Sequence, residues 1–225
     1  MIEDSLFSMN RFNAALGELL DAEDSAVHGY TPASGLPALR RALIEGLEPL
    51  ALPLDEKLLY VTCGASAGRA ILVRALLNAG DEVLFLYPPE KALCLAVRAA
   101  GAAVVENGIL TGRTRMVVLS GRDPVPAGLA GILREAEKRS GQPVYLLADR
   151  LSPTEENLAL LREYDSVVLN EDFGDSLSGE SIGFLAVGQR ARDAELLFAA
   201  ITGAARACGY VNPPSLLQHA ILSSL

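Results

Sequence analysis

The fold of this chain is decided by residues 58–86, which read LLYVTCGASAGRAILVRALLNAGDEVLFL. The first five residues, 58–62, are apolar or β-prone and predict a buried strand. Gly64 then begins a turn into an apolar helix that ends near Leu77, and a second strand follows at residues 82–86. A helix between two strands is typical of a parallel sheet, because it returns the chain to the edge where the first strand began.

The same alternation continues towards the carboxyl end of the chain. Further strands are predicted at residues 103–105, 116–119, 144–148, 166–169 and 182–187. Further helices are predicted at about residues 7–21, 38–47, 91–100, 129–139, 154–164, 193–207 and 215–225. We therefore expect a single α/β domain over residues 1–225, a three-layer α/β/α sandwich with a mixed, mainly parallel sheet. In such a sheet, ligands bind outside the carboxyl ends of the strands.

Composition and charge exclude several classes of protein. Half of the 225 residues are hydrophobic, which is enough for a sizeable core and excludes a wholly disordered chain. The formal net charge is −9 and no basic face is visible, so nucleic acid is not an expected partner. No apolar stretch approaches the roughly 20 residues of a membrane span, and the N-terminus lacks a signal-peptide pattern. We therefore expect a cytoplasmic protein with no membrane partner.

The cysteines and histidines do not indicate a metal site. Cys63, Cys94 and Cys208 lie too far apart for a zinc motif and do not suit a disulfide framework, so we expect three buried thiols in a reducing compartment. His28 and His219 have no Cys or His within ligand spacing, and no serine occurs in a nucleophile-elbow motif. The sequence therefore supports neither a metal centre nor a catalytic triad.

Four segments, taken in order, resemble the large domain of the class I and II aminotransferases, which are fold-type-I pyridoxal-phosphate enzymes. The segments are residues 30–40, YTPASGLPALR; 61–66, VTCGAS; 78–83, NAGDEV; and 176–184, SLSGESIGF. The resemblance covers about residues 28–225. It implies an aminotransferase-type fold, pyridoxal phosphate as cofactor and a homodimer. It also implies that the smaller domain, which follows the large one in these enzymes, is absent.

The resemblance also implies a set of cofactor-binding residues. Gly64, Ala65 and Ser66 stand where the family holds the cofactor's phosphate, and the free N–H groups of a helix N-terminus suit an anion. Asp149 matches the carboxylate that pairs with the pyridine nitrogen. Tyr30 matches a tyrosine that reaches the phosphate of the neighbouring subunit. Without the resemblance, the same residues also fit an ordinary strand-to-helix turn, a loop-capping carboxylate and an aromatic packing anchor.

Other positions depart from the family's pattern. Asp123 replaces an asparagine that donates a hydrogen bond to the cofactor's phenolic oxygen, and an ionised Asp would repel that oxygen. Asp175 replaces the lysine that forms the internal aldimine and moves the proton during the reaction. Ser181 replaces an arginine that holds the phosphate. Pro89 or Glu90 falls where an aromatic ring would stack on the cofactor.

The chain offers few substitutes for the missing lysine. Lys57 precedes a strand and Lys138 lies in a helix that should face water, so only Lys91, on the loop after residues 82–86, is placed to approach the site. The leading hypothesis is therefore an aminotransferase-like protein without transaminase activity.

Two other hypotheses remain open at this point. The first is a transferase that uses Lys91 or binds pyridoxal phosphate non-covalently, and the second is a homodimeric, partner-binding scaffold. The second also draws on the apolar segments 7–20 and 216–225, which we expect to need a partner to cover them. A small phosphate-bearing ligand or an amino acid is a further expected occupant of the site.

Overall fold

The computed structural model describes residues 7–21, 25–106, 108–121, 123–173, 177 and 179–225. In this part of the chain the strands are β1 (Leu59–Thr62), β2 (Glu82–Phe85), β3 (Ala103–Val105), β4 (Thr114–Ser120), β5 (Tyr145–Asp149), β6 (Val167–Asp172) and β7 (Gly183–Val187). The helices are α1 (Met9–Asp21), α2 (Pro37–Leu47), α3 (Gly64–Leu76), α4 (Lys91–Ala99), α5 (Leu129–Ser140), α6 (Glu155–Glu163), α7 (Ala194–Ala207) and α8 (Ser215–Ser224). Every helix and strand predicted above is present, with small differences at the ends. None of the described helices is long and apolar enough to cross a membrane.

The strands form one sheet in the order β1-β7-β6-β5-β4-β2-β3. β7 pairs antiparallel with β1 and β6, and the other pairings are parallel. The mixed, mainly parallel sheet predicted from the sequence is therefore confirmed. The chain passes from β2 outward to β3 and then back to β4 on the other side of β2. The winding thus reverses between β2 and β4, and such a reversal leaves a crevice at the carboxyl ends of the strands.

Apolar clusters cover both faces of the sheet. Successive residues of β1 alternate between them, since Leu59 and Val61 pack in one cluster and Tyr60 in the other. The first cluster takes buried side chains from α1, α2, α5, α6 and α8, and the second takes them from α3, α4 and α7. The molecule is therefore the predicted three-layer sandwich. Burial on both faces also explains why its strands are nearly continuous apolar runs.

The two terminal helices cover each other. α1 packs on α8, and Phe12 of α1 and Ile221 of α8 are both buried in the first cluster. The expectation that segments 7–20 and 216–225 need a partner to cover them is therefore wrong. Their apolar faces are satisfied within the chain, because the two helices meet over the same face of the sheet.

The three cysteines are free thiols, and they differ in exposure. Cys94 is buried, Cys63 is partly buried and Cys208 is exposed. The expectation of three buried thiols is therefore wrong for Cys208, which follows the last turn of α7. Among the described residues, no three His, Cys, Asp or Glu side chains are grouped so that they could hold a metal ion.

A glycine sets the distance between α3 and β6. A methyl group on Gly68 of α3 would collide with the amide oxygen of Asn170 on β6. The side chain of Asn170 is fully buried, and its Nδ2 donates a hydrogen bond to the carbonyl of Ala65, at 3.0 Å. Gly68 therefore allows the first turns of α3 to lie directly on the carboxyl end of β6.

We expect Gly68→Ala to destabilise the protein by about 1–3 kcal/mol, because overpacking outweighs the gain in helix propensity of about 1 kcal/mol. Urea unfolding followed by circular dichroism measures the change. The matched control is Gly203→Ala in α7, where an added Cβ meets nothing within 4 Å. This control should stabilise the protein by about 0.5–1 kcal/mol. If both substitutions stabilised the protein equally, the close approach of α3 to β6 would be wrong.

Candidate active site

A cavity of about 410 Å³ opens at the carboxyl ends of the strands. Its polar lining comes from Arg69, Glu90, Ser120, Asp123, Asp149 and Arg150. The cavity lies between the loops that follow β2 and β4, where the winding of the sheet reverses, and it is large enough for a small metabolite. Two larger cavities, of about 520 and 740 Å³, lie away from these strand ends, along α3 and α4 and beside α7. Position and polar lining make the cavity at the strand ends the candidate site.

Asp149 lies in this cavity with both of its carboxylate oxygens engaged. It ends β5 and is 4% exposed. Oδ2 accepts from Nη1 of Arg69 at 2.9 Å, and Oδ1 accepts from Nδ2 of Asn170 at 2.7 Å. A buried carboxylate requires such partners, because leaving its charge uncompensated in the interior is costly. The structure thus places Asp149 where the sequence predicted it, but with a cation of the same chain as its partner.

Arg69 is the centre of the polar network in the cavity. Its side chain is 9% exposed, and Nη1 also lies 2.5 Å from Oε2 of Glu90, whose side chain is half-exposed. Nη2 donates to Oγ of Ser66 at 3.0 Å. Ser66 and Arg69 are three residues apart in α3 and so share a helix face. One guanidinium therefore joins a buried carboxylate, an exposed carboxylate and a hydroxyl.

A carboxylate of the chain itself, that of Asp172, lies at the N-terminus of α3. The N–H of Ala65 donates to Oδ2 of Asp172 at 3.4 Å. Gly64 has a φ of +80°, and a Cβ on it would lie 2.8 Å from the Cβ of Ser181. Free N–H groups and the helix dipole favour an anion at this position. Here the carboxylate of Asp172 takes that place, and Ser181 lies next to Gly64.

Arg150 completes the site on the side of β6. Its Nη1 lies 3.8 Å from Oδ2 of Asp172. Its φ of +50° lies in the left-handed region, which is unfavourable for a residue with a side chain. A hydrogen bond of 2.8 Å from its N–H to the carbonyl of Asn170 holds this conformation. The backbone strain thus lies at the cavity, directly after Asp149.

The remaining residues that the sequence predicted for the site have other positions or contacts. Asp123 lines the cavity, but its Oδ2 accepts from the N–H of Ser120 at 3.0 Å and so closes its own turn. Tyr30 is 89% exposed and Lys91 is exposed at the first turn of α4, and neither lines the cavity. Asp175 lies outside the described residues.

Four residues of the network, Arg69, Arg150, Asn170 and Asp172, were not identified from the sequence. Two signals were present. An arginine stands within an apolar helix, three residues after the predicted phosphate turn, and three polar residues, 170–172, end an otherwise apolar strand. Neither signal indicates which distant residue each side chain contacts, so neither predicted the network.

The residues of the cavity do not fit pyridoxal phosphate. An internal aldimine needs a lysine amine, and none of the three lysines, all within the described residues, lines the cavity. The pyridine nitrogen would have to break the pair between Arg69 and Asp149, and the phosphate would meet the carboxylate of Asp172 at the N-terminus of α3. Among the described residues, none that lines the cavity supplies the amine that a catalytic step on this cofactor requires.

Glu171 lies next to this network and is 1% exposed. Burial, together with the negative charges of Asp172 and Asp149, raises the pKa of Glu171 from its ordinary value near 4.5 to about 7. Between these two values the folded protein holds a proton that the unfolded chain has released. The free energy of unfolding therefore falls as the pH rises through this window.

We expect Glu171→Gln to remove this dependence, because the amide mimics the protonated carboxyl. The free energy of unfolding of the variant relative to the parent should rise by up to about 3 kcal/mol between about pH 5 and about pH 8. Urea unfolding at several pH values measures the difference. Glu135→Gln, on the exposed side of α5, is the control and should give a difference that does not change with pH. A pH-independent difference for Glu171→Gln as well would contradict the raised pKa.

The comparisons with known proteins agree with this architecture. Residues 5–106 match the family model of the class I and II aminotransferases, and no curated protein matches the chain. An aminotransferase from Eubacterium rectale is similar over 97% of this chain and 64% of its own, with a TM-score of 0.86 and 29% identity. The aspartate aminotransferase of Thermotoga maritima has a TM-score of 0.75 and 21% identity, over 95% of this chain and 62% of its own.

A third solved structure, the alanine aminotransferase of Pyrococcus furiosus, has a TM-score of 0.73 and 17% identity, over 95% of this chain and 60% of its own. The chain thus spans less than two thirds of the length of these proteins. The resemblance predicted from the sequence is confirmed: the chain matches the class I and II aminotransferases over residues 5–106 and shares their fold over nearly its whole length.

Proposed function

We propose that this chain is an aminotransferase-like protein that does not carry out pyridoxal-phosphate-dependent amino transfer. The observation that carries the proposal is the position of its lysines. Lys57 precedes β1, Lys91 begins α4 and Lys138 lies in α5, all three exposed and none in the cavity. In this chemistry one lysine both forms the covalent link to the cofactor and moves the proton, so its loss removes two functions at once.

The charges around the cavity support the same conclusion. Asp172 brings negative charge to the N-terminus of α3, where the resemblance puts a dianionic phosphate, and Asp123 lines the cavity where the resemblance puts a phenolic oxygen. Arg69 is already held by Asp149 and Glu90, and the Nη1 of Arg150 lies near Asp172. The cavity mouth still presents a carboxylate, Glu90, and a guanidinium, Arg150. These two groups suit a small ligand of mixed charge such as an amino acid, or a phosphate-bearing ligand held by Arg150.

We expect purified protein incubated with pyridoxal phosphate to give no aldimine absorbance above that of surface lysines. After borohydride reduction, mass spectrometry should find Lys91 labelled no more than Lys57 and Lys138, because all three side chains are exposed amines. An active aminotransferase treated in parallel is the positive control. Selective labelling of Lys91, abolished in Lys91→Arg and retained in Lys138→Arg, would support the transferase alternative and refute the proposal.

A homodimeric scaffold is the second candidate function, and Tyr30 favours it. The ring is 89% exposed, yet the turn that carries it is held firmly. The fully buried Gln218 donates from Nε2 to the hydroxyl of Thr31 at 3.2 Å, and its Oε1 accepts from the N–H of Leu36 at 2.8 Å. An aromatic side chain on a rigid turn loses little conformational entropy when it is buried at an interface. By the resemblance, Tyr30 is also the residue that reaches the neighbouring subunit.

We expect the protein to have twice the 23.8 kDa mass of one chain in light scattering at about 50 μM. Tyr30→Ser should weaken the dimer at least about fivefold, because truncation of a central interface tyrosine costs more than about 1 kcal/mol. Leu196→Ser is the matched control, since Leu196 is 68% exposed but lies on α7. A parent protein that stays monomeric, or equal weakening by both substitutions, would count against the interface at Tyr30.

A further inference from the structure

The cavity already contains a planar cation that the chain supplies. The guanidinium of Arg69 reaches the end of β5 from the second turn of α3, and it is the cation that neutralises the buried Asp149. It lines the cavity directly. No solvent layer separates the two groups, since the distance from Nη1 to Oδ2 is 2.9 Å.

A guanidinium resembles a protonated pyridine ring in the properties that a carboxylate recognises. Both groups are planar, both carry one delocalised positive charge, and both donate an N–H in the plane of the group. By the resemblance, Asp149 is the residue that pairs with the pyridine nitrogen. The guanidinium of Arg69 therefore offers Asp149 the same kind of partner that the cofactor ring would offer.

We propose that Arg69 is a built-in occupant of the subsite for a planar cation at Asp149, and that it permanently replaces the cofactor ring there. The inference rests on the proposed absence of cofactor catalysis and deepens it, because it says what fills the vacated subsite. It also explains why Asp149 is retained as a carboxylate in a chain whose lysines lie elsewhere.

The contacts around Arg69 give the subsite its selectivity. Asn170 holds the second oxygen of Asp149 in place, at 2.7 Å from Nδ2 to Oδ1. Ser66 accepts from Nη2 at 3.0 Å, and Glu90 approaches Nη1 from the exposed side. The subsite thus has acceptors for both Nη1 and Nη2 of the guanidinium and opens to solvent through the cavity. A free guanidinium is small enough to enter it once the side chain of Arg69 is removed.

The test is thermal unfolding of Arg69→Ala in the presence of methylguanidinium. The variant should unfold at a lower temperature than the parent, because the carboxylate of Asp149 loses its cation. Addition of about 10 mM methylguanidinium should raise the unfolding temperature of the variant and leave that of the parent unchanged, as expected for a ligand that binds only where the subsite is empty. Methylurea, its neutral isostere, should stabilise neither protein.

Two further variants identify the site of rescue. Arg74→Ala removes an exposed arginine from the same helix and should gain no stabilisation from methylguanidinium. In Arg69→Ala combined with Asp149→Asn the rescue should be lost, because the amide no longer attracts a cation. Equal effects of methylguanidinium on the parent and on Arg69→Ala, or rescue that survives Asp149→Asn, would overturn the proposal.

A measurement that needs no Arg69 variant covers the case in which Arg69→Ala does not fold. In nitrogen NMR spectra of the parent, one guanidinium should show slow exchange of its Nη protons and restricted rotation. These signals should disappear in Asp149→Asn and persist in Asp123→Asn, since Asp123 lines the same cavity but its carboxylate is bound by its own turn. Absence of such signals in the parent would overturn the proposal. The outcome is independent of pyridoxal phosphate, so labelling of Lys91 by that compound would refute the proposed function without deciding this inference.

Discussion

The ion pair between Asp149 and Arg69 is the constraint around which the site is built. A carboxylate that is 4% exposed at the end of β5 must have a cation and hydrogen-bond donors within reach, or it would not remain charged in the interior. The cation comes from α3, which must therefore lie close to the carboxyl ends of β5 and β6. Gly68 permits that approach, since any larger residue would meet Asn170. One electrostatic requirement thus fixes the position of a helix relative to the sheet.

The same constraint decides what the cavity can do. The guanidinium of Arg69 forms ion pairs with the carboxylates of Asp149 and Glu90, so it is not free to bind another anion. Asp172 takes the N–H of Ala65 at the start of α3, so the helix N-terminus is also occupied. The two features that commonly bind anions, a guanidinium and a helix N-terminus, are both satisfied by carboxylates of the chain. Of the charged residues that the structure describes in the lining of this cavity, Glu90 and Arg150 are the two that are exposed to an incoming ligand.

The fold was largely predictable from the sequence, and the site only in part. The strands were visible because burial on both faces leaves nearly unbroken apolar runs, and the turn at Gly64 was visible because helix and strand meet there without a linker. Asp149 was found because it directly follows such a strand. Arg69 was not, because its partner lies 80 residues away in the chain and local spacing says nothing of contacts at that range. The mutual packing of α1 and α8 was missed for the same reason, since it joins the two ends of the described chain.

On the proposed function, the absence of a lysine from the described lining of the cavity and the presence of Arg69 there have one physical explanation. A site built for a cationic ring contains a buried carboxylate, and that carboxylate becomes a liability when no ring is bound, since an uncompensated buried charge is strongly destabilising. The chain can then replace the carboxylate or supply a cation of its own. Asp149 with Arg69 is the second solution, and it retains the hydrogen bond from Asn170 and the packing of α3 on β6. On this proposal, the exposed positions of Lys57, Lys91 and Lys138 and the burial of Arg69 belong to one arrangement, in which the cation at Asp149 comes from the chain itself.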